Sequence, residues 1–149
     1  MSNALYVALT VIGGVLAGTQ APINSALSKK VGSFESALIS FFVGTIALST
    51  IVIIFGKGSL MSALTVPKWQ LVGGLLGTVF VTSTILAVPK IGVASAIFST
   101  ILGQILIGII IDHFGFFGVE KIPLDRYRLL GIVCMLVGLL FIFRSKFYS

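Results

Sequence analysis

Between Leu5 and Leu27 the chain carries no charged side chain, a stretch long enough for one helix to cross a bilayer. A hydrocarbon core roughly 30 Å thick needs about 20 apolar residues in helical form, because every backbone N–H and C=O must find its partner within the segment. Four further runs meet this requirement: 36–55, 69–88, 93–111, and a shorter one over 128–143 that Tyr127 and Arg128 carry toward the interface. The expected fold is therefore an all-α membrane protein, a bundle of five transmembrane helices. Composition leaves no soluble alternative. The chain is 57% hydrophobic and 9% charged, with a mean hydropathy of +1.18, whereas a soluble domain carries roughly a quarter charged residues.

The ends of the runs carry the expected punctuation. Lys29, Lys30 and Gly32 close the first, and Gly56, Lys57 and Gly58 close the second. Pro67 and Lys68 precede the third, which is expected to stop at Pro89, Lys90 and Gly92 and turn sharply into an antiparallel fourth. Trp69, Phe114, Phe116, Phe117, Tyr127, Phe147 and Tyr148 fall at segment ends, where an aromatic belt belongs. No polar or low-complexity stretch is long enough to be a linker, so residues 1–149 are expected to form a single transmembrane domain. The first basic residue, Lys29, lies beyond the first apolar run, which argues against a cleaved signal peptide and for a retained first segment. Cys134 lies inside an apolar run and reads as a helix-packing residue.

The net charge of +6 does not make a nucleic-acid binder, because the ten Lys and Arg residues stand singly or in pairs at the ends of apolar runs. Short cytoplasmic loops are enriched in these residues, so their distribution sets orientation. Lys57, Lys68, Lys121, Arg126 and Arg128 fall on the side of the N-terminus; Lys29, Lys30, Lys90, Arg144 and Lys146 fall on the other, five against five. So even a balance gives the insertion machinery little basis for choosing, and a chain inserted both ways supplies both members of an antiparallel pair. The alternative is that one loop is misassigned or one charge dominates.

Few residues here can carry chemistry. In the first run Gly13, Ala17, Gln20 and Asn24 recur at helical spacing and place two amides on one face. Pro22, between them, removes the donor that the Gly18 carbonyl would receive, as in the broken helices that line transport sites. Gln20 and Asn24 are thus candidates for a substrate pathway; equally, they suit hydrogen bonding across a helix interface. In the fourth run Ser95, Ser99 and Gly103 form a small-residue column suited to close packing, with Gln104 beside it the residue best placed to reach a cavity. Gly14 and Gly18 have the same packing spacing. Asp112 follows the fourth run with His113 beside it, so the pair suits proton coupling near neutral pH. An interfacial salt bridge to Lys121, Arg126 or Arg128 would use the same carboxylate. Glu35 falls in the first turn of the second helix, where a carboxylate suits the helix dipole.

Several of these stretches resemble the YdcZ-like family of small bacterial membrane proteins in the drug/metabolite transporter superfamily. The resemblance is carried by Gly92-Val93-Ala94-Ser95-Ala96, Gly103-Gln104, Ile111-Asp112-His113-Phe114-Gly115, Arg128-Leu129-Leu130-Gly131 and Gly138. In the first half it adds Gln20, Ile23-Asn24, Leu27 and Ser40-Phe41-Phe42-Val43-Gly44-Thr45. It implies a five-helix unit equivalent to half of a ten-helix inverted-repeat transporter, whose members look like dual-topology homodimers, oppositely oriented gene pairs or fused chains. A second five-helix subunit is then the expected partner, in the inner membrane, since transport sites form between inverted repeats and no internal repeat is visible in this sequence. The small multidrug resistance proteins, similar in size, exchange protons for cationic drugs through a glutamate deep in the first helix. Here that helix has no acid, which favours a neutral or anionic small-molecule substrate, or coupling through Asp112.

The expected function is therefore small-molecule export by alternating access in an antiparallel dimer, the alternative being an accessory membrane protein that stabilises a partner. No enzyme, metal site or cofactor is expected. The sequence has no His-Glu-x-x-His pair, no Gly-x-Ser-x-Gly elbow, no phosphate-binding glycine loop and a single histidine.

Overall fold

A computed structural model describes residues 3–147, with side chains as far as Arg144. Tyr148, and the side chains of Lys146 and Phe147, lie outside the described residues, so the belt positions at Phe147 and Tyr148 are not addressed. Five helices long and apolar enough to span a membrane are present among the described residues. They are α1 (Asn3–Val31), α2 (Ser33–Phe55), α3 (Gly73–Ile91), α4 (Val93–Phe114) and α5 (Arg126–Phe147). A turn of 3₁₀ helix at Lys68–Val72 leads into α3 and extends its span to Lys68–Ile91. Pro67 at its start and the Gly73-Gly74 pair at its end explain why this stretch is not α-helical from the outset.

The helices overrun the apolar stretches. α1 continues past Lys29 and Lys30 to Val31 because long basic side chains can reach the interface while their backbone remains helical. α3 does not stop at Pro89, which lies inside the helix. Proline removes one amide donor but leaves the rest of the ladder intact, and membrane helices tolerate it. The stop comes at Gly92, with φ 83° and ψ 162°. Gly32, the one residue between α1 and α2, has φ 100° and ψ 157°. Both values lie in a region that glycine visits freely and L side chains avoid. After each glycine the next helix is started in the same manner: Ser36 N–H donates to the Gly32 carbonyl at 3.0 Å, and Ala96 N–H to the Gly92 carbonyl at 3.1 Å. Glu35 lies in the first turn of α2, and its carboxylate occupies the space that a side chain on Gly32 would need.

The chain forms two compact units that divide between Lys90 and Ile91. In the first, α1 packs on α2, and α2 meets α3 through a buried cluster of Ala37, Val81 and Ile85. The Phe41 ring lies 3.6 Å from where a Cβ on Gly77 would stand, so that glycine makes room for it. In the second unit α4 packs on α5, with the Phe98 ring 3.3 Å from a Cβ position on Gly138. Cys134, read from the sequence as a helix-packing residue, is exposed on α5 within the chain.

Candidate functional site

The hydroxyl groups along these helices separate into two kinds. Thr10, Thr19, Thr45, Thr50 and Thr78 each donate to a carbonyl three or four residues earlier in their own helix. A hydroxyl satisfied in this way can face lipid at little cost. Ser36 and Ser40 instead reach across to α1. Ser36 is fully buried, and its Oγ donates to the Asn24 carbonyl at 2.8 Å; the Ser40 Oγ donates to Asn24 Oδ1 at 2.6 Å. Asn24 is itself only 5% exposed. The two serines are four residues apart, so one face of α2 grips the backbone carbonyl and the side-chain oxygen of a single residue on α1.

One turn before Asn24, Gln20 is exposed, although the periodicity put both amides on one face. Gln104 is also exposed, in the middle of α4. Unlike the threonines, a glutamine side chain reaches past its own helix, and no hydrogen bond joins either amide to another described residue. Each unsatisfied polar group in hydrocarbon costs several kcal/mol, which gives about the same cost for each of these amides if lipid covered it. Of the packing candidates, Ser95 is buried, and Ser99 donates back to the Ser95 carbonyl at 2.8 Å. Gly18 is half-buried, whereas a Cβ on Gly14 or on Gly103 would meet no described atom within 4 Å beyond the backbone of its own helix.

The second polar cluster joins the end of α4 to the start of α5. Arg128 Nη1 lies 3.0 Å from Asp112 Oδ2, with both side chains about a third exposed (29% and 35%). The Asp112 carbonyl accepts the Ile122 N–H at 2.9 Å, and His113 Nδ1 accepts the Leu124 N–H at 3.1 Å. An imidazole that accepts at Nδ1 keeps its own hydrogen on Nε2. Asp112 and His113 thus fold the intervening loop back on the end of α4. Gly115, left-handed at φ 69°, closes that helix by donating to the Ile111 carbonyl at 2.8 Å.

α5 begins at Arg126 because Asp125 caps it: Asp125 Oδ1 accepts the Arg128 N–H at 2.8 Å, and the Asp125 carbonyl accepts the Leu129 N–H at 3.1 Å. Asp125 was not among the sequence candidates, and its signal, an aspartate just before the apolar run, is the ordinary one for a helix start. Because the cap also orients Arg128 toward Asp112, Asp125→Ala is expected to cost about 1 kcal/mol. A thermal melt in detergent checks this, and Asp125→Asn should recover most of the loss.

A family model described as "Putative inner membrane exporter, YdcZ" matches residues 5–141. No curated protein and no solved structure matches the chain.

Proposed function

The chain belongs to this family of inner membrane exporters and is a multi-pass protein of that membrane; from that premise we propose that it is half of a secondary transporter. Two copies, or this chain and a homologue, pair in opposite orientations and alternate access to a site between them. The observation that carries this is the exposure of Gln20 and Gln104 at membrane depth. Both need a wet cavity or a second protein, and an inverted partner supplies both. The backbone at Gly14 and Gly103, open to close approach, gives that partner a surface to pack on. Gln20 and Gln104 each hydrogen-bond a neutral or anionic substrate, and Asn24, held by Ser36 and Ser40, fixes the wall beside Gln20. Asp112 and His113 form the gate at one end, with the Arg128 ion pair as the contact that opens and closes.

Gln20→Cys and Gln104→Cys, placed singly in a Cys134→Ala background, are expected to react with a small membrane-impermeant maleimide in intact membranes. Val15→Cys, exposed on the opposite side of α1, should stay unlabelled. If both glutamine positions are as inert as Val15, they do not line a water-filled pathway.

A further inference from the structure

Asn24 has one polar group left over. Its carbonyl and its Oδ1 each accept from a serine, Ser36 at 2.8 Å and Ser40 at 2.6 Å. A separation of 2.6 Å suits a hydroxyl donating to oxygen and is short for an amide nitrogen, so it fixes which way the carboxamide points. Nδ2, with its two hydrogens, is turned away from Ser40 and donates to no described residue. Every fully buried side-chain nitrogen or oxygen among the described residues has a hydrogen-bond partner. Nδ2 therefore reaches the surface of the chain, although Asn24 is only 5% exposed. The side chain is held by its oxygens and opens outward through its donor alone. Whatever meets it must accept hydrogen bonds. Gln20, one turn earlier and exposed, adds a second amide on the same side of the helix.

We propose that Asn24 Nδ2 is the donor that receives a carboxylate of the transported solute, which rests on the chain being half of a transporter and names the chemistry of what it moves. An amide donor pairs with a carbonyl or with a carboxylate, and charge decides between them. α1 carries no acid. Its charged side chains, Lys29 and Lys30, stand five and six residues beyond Asn24, roughly 8 Å along the helix axis. Both are exposed, and both end in an ammonium on a flexible stem. Glu35 is the acid nearest in sequence, and its carboxylate lies against Gly32 at the joint. An anion at Asn24 thus has a fixed donor at hand and two ammonium groups within about two helical turns. Because Ser36 and Ser40 already hold the amide, binding need not order it.

Asn3 and Asn24 are the two asparagines of the chain. Asn3→Gln therefore leaves one side-chain amide signal when the full chain, labelled with nitrogen-15 asparagine, is observed by NMR in lipid nanodiscs. Sodium acetate is expected to shift that signal saturably in the millimolar range, and sodium chloride at the same concentration should not. Ser40→Ala frees Oδ1 and lets the amide turn, so its acetate response should be several-fold weaker. Ser40→Thr, which keeps a hydroxyl, should retain the response. No response to acetate, a response that chloride matches, or one unchanged in Ser40→Ala overturns the proposal. The maleimide test at Gln20→Cys and Gln104→Cys keeps that failure apart from failure of the transporter itself. Labelled cysteines with an unmoved amide leave a wet pathway that takes no carboxylate at Asn24, whereas inert cysteines remove the pathway and the carboxylate site with it.

Discussion

Ser36→Val is expected to lower the stability of the protein markedly. Ser36 has no exposed surface, so one methyl takes the place of the hydroxyl and the second, extra one must displace packed neighbours at about 1–3 kcal/mol. Loss of the hydrogen bond to the Asn24 carbonyl adds about 0.6 kcal/mol, the average for such bonds in a membrane bundle. The carbonyl keeps its helical partner, so no orphan acceptor increases the cost. Thermal unfolding in detergent, followed by the monodisperse fraction, should show a large drop for Ser36→Val and a small one for Ser36→Ala. Equal melting of Ser36→Val and the parent would mean that the two helices do not meet there.

Orientation should respond as sharply. On the proposal that the chain inserts both ways, Arg128→Gln changes the balance from five against five to four against five. Paired reporters after α5, one active only inside and one only outside, should then shift from comparable activities to a several-fold excess of one. Asp112→Asn breaks the same ion pair but removes no Lys or Arg. Acidic residues contribute little to orientation, so its reporter ratio should stay that of the parent. If Arg128→Gln leaves the ratio unmoved, orientation is fixed by something other than this balance, and an antiparallel homodimer loses its support.

The five spans were legible because the bilayer imposes one length and one chemistry on each of them. Their ends were less so, for reasons local to each. Lys29, Lys30 and Gly32 read together as a stop, and so did Pro89, Lys90 and Gly92; in each case the glycine ends the helix, while the residues before it stay inside, to Val31 and to Ile91. α5 begins with two charged side chains, which hydropathy excludes and the Asp125 cap permits. The ion pair of Asp112 was foreseen as one of two possibilities, with Arg128 among three possible partners. What spacing could not supply was the difference between Gln20 and Asn24. They share a helical face, but the reach of α2 covers only Asn24, through Ser36 and Ser40. Those serines look in sequence like the lipid-facing threonines, and only the position of the neighbouring helix distinguishes them.

The single glycine between α1 and α2 has a mechanical meaning. A joint of one residue leaves little chain between the helices, and two serines clamp it on one asparagine beside it, so it should transmit torque with little slack. Any motion that tilts α1 must tilt α2 with it, so the pair works as a stiff lever arm. Compliance within the first unit must then come from the longer stretch between Phe55 and Gly73, where only short 3₁₀ turns connect the lever to α3.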